Sequence, residues 1–222
     1  MPHVFFTVLN LPDLVWNSRI HERLFDVALK AFPHLSHWDV TRAAINKQYL
    51  GKHRSGGDFQ AKIVDFCITL SGPTVFDTRE RLAWASGNQS INHSSTPPLR
   101  YQPIAVSIET KIQASSTEEG KAQLAVWAPS HLKRLRLLSV TSTKHITIGI
   151  TLPLVQVDSG VWTLFFLRDV EAVQLIETVT IGDTKTVLGC YHVVAFIREL
   201  GHWAMTVYKP WLYDNCLEVT SD

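Results

Sequence analysis

Several features common in secreted, membrane and nucleic-acid-binding proteins are scarce or missing in this sequence. Its 222 residues include three cysteines, Cys67, Cys190 and Cys216, and no C-x-x-C pair. Closely spaced cysteines are typical of structural zinc sites and of disulfide-rich secreted domains, so the sequence favours a reducing, intracellular location. It also lacks a run of about 18 apolar residues and the basic region and cleavage site of a secretory signal. We therefore expect no membrane-spanning helix.

A strong charge of either sign is missing too. The 21 Lys and Arg residues almost balance the 20 Asp and Glu residues, which leaves a net charge of +1. A broad nucleic-acid-binding face needs an excess of basic residues, so the composition argues mildly against one but leaves room for a local groove. Hydrophobic residues make up 45% of the chain and charged residues 18%, as in globular proteins. With no internal repeat or low-complexity linker, residues 1–222 are expected to form a single domain.

The spacing of apolar residues predicts both helices and strands. Helices are expected at residues 14–32, 78–85, 117–138 and 184–208, with a kink or break at Pro129. Strands are expected at residues 62–70, 104–111, 146–157, 161–167 and 170–181, with a hairpin turn at residues 158–160. Residues 35–59 are polar and mixed and predict no clear element. This pattern predicts an α/β (α+β) fold.

Residues 104–111 (IAVSIETK) carry the strongest chemical signal. Side chains two apart in a strand point to the same side, so Glu109 and Lys111 should lie next to each other at the end of a buried strand. Asp65 is expected in the middle of another apolar strand, where an acid is costly unless it pairs or serves chemistry. The alternatives are an ordinary surface ion pair for Glu109 and Lys111 and a purely structural role for Asp65.

The order of these motifs resembles the PD-(D/E)XK nuclease superfamily, which has an acid on one strand and E-x-K on the next. In the following helix, Gln123 and Trp127 are similar to the Q-x-x-x-Y motif of the RecB-type branch, with tryptophan in place of tyrosine. His21 falls where that branch often has a metal-binding histidine. A closer similarity, carried mainly by residues 103–111 but spanning nearly the whole chain, is to a group of fungal PD-(D/E)XK nuclease-like proteins. The resemblance implies a restriction-endonuclease-like core, a mixed central sheet flanked by helices.

The resemblance also implies a set of functional residues. The expected catalytic residues are Asp65, Glu109, Lys111, Gln123 and His21. Three of them, Asp65, Glu109 and His21, would also hold Mg²⁺ or Mn²⁺. The expected substrate-binding residues are His93, Arg100 and Trp127. Carboxylates from adjacent strands suit Mg²⁺, which prefers oxygen ligands and keeps several waters. Some of these residues have a structural alternative: His21 as a core histidine, His93 as a loop residue away from the site, and Gln123 as a buried hydrogen-bonding residue.

Three functions are compatible with these residues. The first is a metal-dependent nuclease or phosphodiesterase with nucleic acid as its substrate. The second is a small-molecule enzyme of fungal secondary metabolism, such as a cyclase, isomerase or hydrolase, in which the same residues act as acid–base groups around an apolar pocket that binds a small apolar metabolite. The third is an interaction module without catalysis, which the complete Asp65, Glu109 and Lys111 set disfavours. The sequence predicts no oligomeric state.

Overall fold

A mixed six-stranded sheet organises the chain. The computed structural model describes residues 20–51, 64–83, 90–111, 117–139 and 147–217. The strands are β1 (Leu35–Asp39), β2 (Phe66–Leu70), β3 (Ile104–Lys111), β4 (Leu152–Asp158), β5 (Val161–Arg168) and β6 (Gln174–Asp183). They lie side by side in chain order. Among these strands, β3 and β4 are the one parallel pair, and the other neighbours run antiparallel.

Helices cover both faces of the sheet. They are α1 (Glu22–Leu29), α2 (Pro73–Ala83), α3 (Thr117–Leu138), α4 (Val187–Trp203) and α5 (Lys209–Leu212), with a 3₁₀ turn at Lys47–Tyr49 and π-helical stretches at Ala204–Tyr208 and Tyr213–Leu217. The long helix α3 joins β3 to β4 and so supplies the crossover that a parallel pair requires. It packs on one face, while α1 packs on the other, where Phe25 lies with its ring centroid 5.3 Å from that of Phe66 and 6.0 Å from that of Trp162.

The burial of β2 and β3 explains why their sequences are almost continuous apolar runs. All five residues of β2 are buried, and seven of the eight residues of β3 are buried, Lys111 being the partly exposed one. A strand with helices on both faces has no solvent side, so its residues need not alternate between apolar and polar types. The polar residues of β3 therefore enter the interior, and Glu109 is one of them.

The predicted mixed sheet flanked by helices is confirmed, as are the bounds of β3 and α3. Several elements differ from expectation. Strand β1 was not predicted, α2 begins at Pro73 rather than residue 78, and β2 begins at Phe66, directly after Asp65. The helix assignment of α3 continues through Pro129 without a break.

The C-terminal region also differs from the sequence prediction. Strand β6 extends to Asp183, and α4 begins only at Val187, because Thr186 caps the helix by accepting a hydrogen bond from the Gly189 backbone. Some predicted positions lie outside the described residues: 14–19 of the first helix, 62–63 of the first strand, 84–85 of the second helix and 146 of the third strand. No helix in the described part of the chain is long and apolar enough to cross a membrane.

Candidate active site

Glu109 and Lys111 form a buried ion pair at the end of β3. The Lys111 Nζ atom lies 2.7 Å from Glu109 Oε1, and the Glu109 side chain is fully buried while that of Lys111 is 15% exposed. The strand alternation therefore brings the two side chains together, as the sequence predicted. Within the described residues, Glu109 Oε2 has no hydrogen-bond partner. The pair thus leaves one buried carboxylate oxygen without a donor.

Asp65 lies beside this pair, immediately before β2. Its backbone N–H donates to Ile108 O across 3.1 Å, which joins the start of β2 to the end of β3. Its carboxylate Oδ2 accepts hydrogen bonds from the backbone N–H (2.9 Å) and the side-chain hydroxyl of Thr110. The carboxylate is also close enough to influence the pKa values of both Glu109 and Lys111. Asp65 and the Glu109–Lys111 pair therefore lie near one another at the end of the sheet where β2 begins and β3 ends.

The electrostatics of the cluster follow from burial and from its excess of acids. Burial, followed by the negative charge of Asp65, raises the pKa of Glu109 from its ordinary value of 4.5 to about 8, although Lys111 acts in the opposite direction. Burial lowers the pKa of Lys111, but its hydrogen bond and charge interaction with Glu109, and the charge of Asp65, outweigh burial and raise it. The site therefore holds a reliably cationic lysine next to a carboxyl group that ionises with difficulty.

The N-terminal turn of α3 covers the site and adds a residue that the sequence analysis missed. Glu119 is exposed, and its charge raises the pKa of both Glu109 and Lys111. Gly120, next to it, is buried where an added Cβ would lie 3.5 Å from Glu109 Cγ. In sequence terms Glu119 is an acid in the first turn of a helix, which is common for reasons of helix stability alone. The one available signal was the position of this helix directly after the E-x-K strand.

A comparison with protein families identifies the group to which the chain belongs. Residues 7–209 match the model of the PD-(D/E)XK nuclease superfamily. The chain belongs to this superfamily. No curated protein and no solved structure matches it at a significant level. Members of the superfamily are generally nucleases or phosphodiesterases that use Mg²⁺ or Mn²⁺.

His21, the predicted histidine ligand of the PD-(D/E)XK site, lies among aromatic side chains. Its ring packs edge-on against Trp162 (5.6 Å between centroids) and Phe66 (6.3 Å), and burial lowers its pKa to about 4. The strand register places Phe66 and Trp162 on the sheet face opposite Glu109. In the described part of the chain, no three His, Cys, Asp or Glu side chains form a metal-binding group. The structure therefore does not bring His21 into a metal-binding group with both Asp65 and Glu109.

Three further predicted residues lie on the same helix or under it. Gln123 is half-buried on α3, one turn beyond Gly120. Trp127 is fully buried, and its Nε1 donates to Ser107 Oγ across 3.0 Å. The His93 ring, also fully buried, packs edge-on against Trp127 with 4.1 Å between ring centroids. The predicted substrate-binding roles of Trp127 and His93 stay predictions, and they would require the packing around these side chains to open.

Arg100 lies near the opposite end of β3. It precedes Ile104, the first residue of the strand, and its guanidinium lies 5.0 Å from the centre of the Tyr101 ring. A strand rises about 3.4 Å per residue, so Ile104 and Glu109 are about 17 Å apart along β3. The structure therefore separates Arg100 from the Glu109–Lys111 pair, and its substrate-binding role stays a prediction.

A pocket adjoins the site on the α3 face of the sheet. Its volume is about 280 Å³, and its lining consists of Thr117, Lys121, Gln156, Asp158, Ser159, Val161, Thr163, Phe165 and Glu177. Lys121, the one basic residue among them, forms an ion pair with Glu177 at 3.0 Å. The strand register sets Gln156 opposite Glu109 and Asp158 opposite Lys111, so the pocket begins one strand away from the charged cluster. Its lining carries more acid than base.

Proposed function

We propose that this chain is a metal-dependent nuclease that hydrolyses phosphodiester bonds at Asp65, Glu109 and Lys111. The observation that carries the proposal is the buried Glu109–Lys111 pair, which lies beside Asp65 at the meeting point of β2 and β3. A structural ion pair has no need of a second acid, whereas charge neutralisation during phosphoryl transfer requires a cation held by carboxylates.

The donor set fits a hard divalent cation. Asp65 and Glu109 offer carboxylate oxygens, and Glu109 Oε2 is a buried oxygen without a hydrogen-bond donor in the described structure. We propose that these two side chains, with the backbone carbonyl of Thr110, hold Mg²⁺ or Mn²⁺. The bound ion would supply charge neutralisation at the phosphate and lower the pKa of a water.

The protein's own side chains would position the attacking water and stabilise the negative charge that develops at phosphorus. Lys111 keeps its proton, because the acids around it raise its pKa, and its partial exposure lets the ammonium group reach a substrate oxygen. It can therefore donate hydrogen bonds to the attacking water or to the oxygens that gain negative charge at phosphorus. The Asp65 carboxylate is held at the start of β2 by its two hydrogen bonds from Thr110, which fix its position near the pair. Gln123, on the covering helix, is proposed to hold Lys111 or the water.

The test is hydrolysis of labelled single-stranded DNA, double-stranded DNA and RNA by the full chain, with Mg²⁺, Mn²⁺ or EDTA. We expect metal-dependent cleavage that Lys111→Met and Asp65→Asn reduce by at least about a hundredfold. Lys30→Met, which removes an exposed lysine at the end of α1, is the matched control and should leave the rate unchanged. Cleavage that is indifferent to EDTA, or equal in Lys111→Met and Lys30→Met, would refute the proposal.

The pocket favours one second candidate, a small-molecule enzyme built on the same residues. A pocket of about 280 Å³ with two acids and one base in its lining suits a small neutral or cationic compound better than a polyanionic strand. Thr163→Trp, which fills this pocket, distinguishes the two functions. A nucleic-acid strand bound at the exposed side of Lys111 would still be cleaved by this variant, whereas a reaction inside the pocket would stop.

Several further statements about relatives, domain organisation and location are also proposals. These are the relationship to the RecB-type branch and to fungal relatives, a role in secondary metabolism for the second candidate, the single-domain organisation and the intracellular location. Nucleic acid is the proposed partner of the nuclease, and a small apolar metabolite is the partner of the alternative enzyme.

A further inference from the structure

Gln156 lies directly beside Glu109 on the neighbouring strand. The parallel register of β3 and β4 pairs the two residues, and neighbouring strands are about 4.8 Å apart. Both side chains lie beneath the first turn of α3, because a Cβ added to Gly120 would lie 2.7 Å from Gln156 Nε2 and 3.5 Å from Glu109 Cγ. Gln156 is 2% exposed. A glutamine and a glutamate are therefore enclosed together under one glycine.

The two ends of the Gln156 amide have different surroundings. Its Nε2 donates to the backbone oxygen of Thr117 across 2.8 Å, which ties the start of α3 to β4. Its Oε1 is buried and has no hydrogen-bond partner in the described part of the chain, and the same is true of Glu109 Oε2. Buried acceptors are nearly always satisfied, so two such oxygens on paired residues indicate that a donor or a cation belongs with them. The hydrogen bond to Thr117 accounts for the burial of Nε2, but it does not account for the burial of Oε1 without a partner.

We propose that Gln156 Oε1 is a third side-chain oxygen for the divalent cation, next to Asp65 and Glu109. This inference rests on the proposed metal-dependent function. Side-chain amide oxygens are ordinary ligands of hard cations. The described His, Cys, Asp and Glu residues form no group of three, so a glutamine supplies an oxygen that those residue types do not. Being neutral, it adds a ligand without adding another negative charge to an already acidic cluster.

Two substitutions distinguish metal binding by Gln156 Oε1 from the hydrogen bond that Nε2 donates to the start of α3. Gln156→Met removes both the oxygen and the N–H donor, whereas Gln156→Glu keeps oxygen ligands and removes only the donor. Both variants lose the hydrogen bond to Thr117. If Gln156 only ties the helix, the two variants should bind metal alike. If Oε1 is a ligand, their affinities should move apart.

The measurement is Mn²⁺ binding to the full chain without nucleic acid, by titration calorimetry and by the electron paramagnetic resonance signal of free Mn²⁺. We expect Gln156→Met to weaken Mn²⁺ binding by about tenfold or more, and Gln156→Glu to bind as tightly as the wild type or more tightly. Melting in EDTA checks that both variants fold. Gln174→Met and Gln174→Glu, at an exposed position of β6, are matched controls and should bind like the wild type.

The possible outcomes distinguish a failure of the proposed Gln156 ligand from a failure of the proposed metal-dependent function. Wild-type affinity in Gln156→Met, or equal weakening in Gln156→Met and Gln156→Glu, would overturn the role of Oε1 and leave the proposed nuclease intact. A wild-type protein that is folded but binds no Mn²⁺ would overturn both.

Discussion

Replacing Glu109 with glutamine should stabilise the metal-free protein while removing the proposed metal-dependent activity. Glu109 is fully buried, and its Oε2 has no donor in the described structure. Glutamine keeps the shape of the side chain, keeps an oxygen for Lys111 and replaces a poorly solvated carboxylate with a neutral group. If Glu109 holds the proposed cation, its buried carboxyl group is unfavourable when the cation is absent, so the proposed function and stability should conflict at this residue.

The size of the effect follows from the pKa of Glu109, which rises from 4.5 to about 8 on folding. Because the folded-state pKa lies above the unfolded value, the folded protein retains a proton that the unfolded chain releases above pH 4.5. Stability from this group is therefore complete below pH 4.5 and falls as the pH rises through about 8. At 1.4 kcal/mol per pH unit, the loss at pH 7 is about 3 kcal/mol. The pKa of about 8 already includes the attraction of Lys111, so Glu109→Gln should gain about 3 kcal/mol at pH 7.

Urea unfolding in EDTA measures this difference. We expect Glu109→Gln to be about 3 kcal/mol more stable than the wild type at pH 7, or about 6–12 °C higher in Tm for a chain of this size. At pH 5 the advantage should fall to about 1 kcal/mol, because this pH lies only slightly above the unfolded pKa. Glu118→Gln, which removes an exposed carboxylate from the first turn of α3, should change the stability by less than about 0.5 kcal/mol at both pH values. A Glu109→Gln protein that is less stable than the wild type at pH 7, or equally stabilised at both pH values, would refute the reasoning.

Three further predictions concern the helix that covers the site. Gly120→Ala should destabilise the protein by about 1–3 kcal/mol in urea unfolding, because its Cβ would lie 2.7 Å from Gln156 Nε2. Trp127→Phe should cost a similar amount, about 1–3 kcal/mol, because it removes the donor to Ser107 and leaves space in the core. Burial lowers the pKa of His131 to about 4, so its stability contribution is complete above pH 6.5 and is lost as the pH falls through about 4. The loss amounts to about 3 kcal/mol, and His131→Leu should abolish this part of the acid sensitivity in unfolding measured at pH 7 and pH 4.5.

Matched variants make these three predictions specific. Ala122→Ser, at an exposed position of α3, should be nearly neutral, and an equal loss in Ala122→Ser and Gly120→Ala would count against the close packing of α3. Trp38→Phe also removes an indole hydrogen bond, to Gln102, but at a surface position, so it should cost less than Trp127→Phe. If His131→Leu loses as much stability between pH 7 and pH 4.5 as the wild type does, then other groups control acid unfolding.

The central strand and the covering helix could be predicted from the sequence because their signals are local. β3 is a β-branched apolar run, and its alternation alone places Glu109 and Lys111 on one side. Helix α3 has acids in its first turn and a basic residue in its last, as the helix dipole favours. Both elements have the bounds that the sequence predicted.

Strand β1 could not be predicted in this way. Its sequence, LSHWD, has little strand character, and it forms because β2 offers it a hydrogen-bonding partner, with Leu35 opposite Leu70. The position of Asp65 has a similar origin. The sequence suggested the middle of a strand, but Asp65 lies just before β2, where its carboxylate binds the backbone and hydroxyl of Thr110.

The sequence alone thus determined the Glu109–Lys111 pair, strand β3 and helix α3, since all of these depend on neighbours a few residues apart. Only the tertiary structure brought Glu119, Gly120 and Gln156 to that pair, because strand register and the close approach of α3 join residues that lie far apart in the chain. The surroundings of Glu109 were decided in the same way: burial by that helix and the nearby charge of Asp65 raise its pKa. The chemistry of a carboxylate depends on what surrounds it, and here distant segments of the chain supply the surroundings.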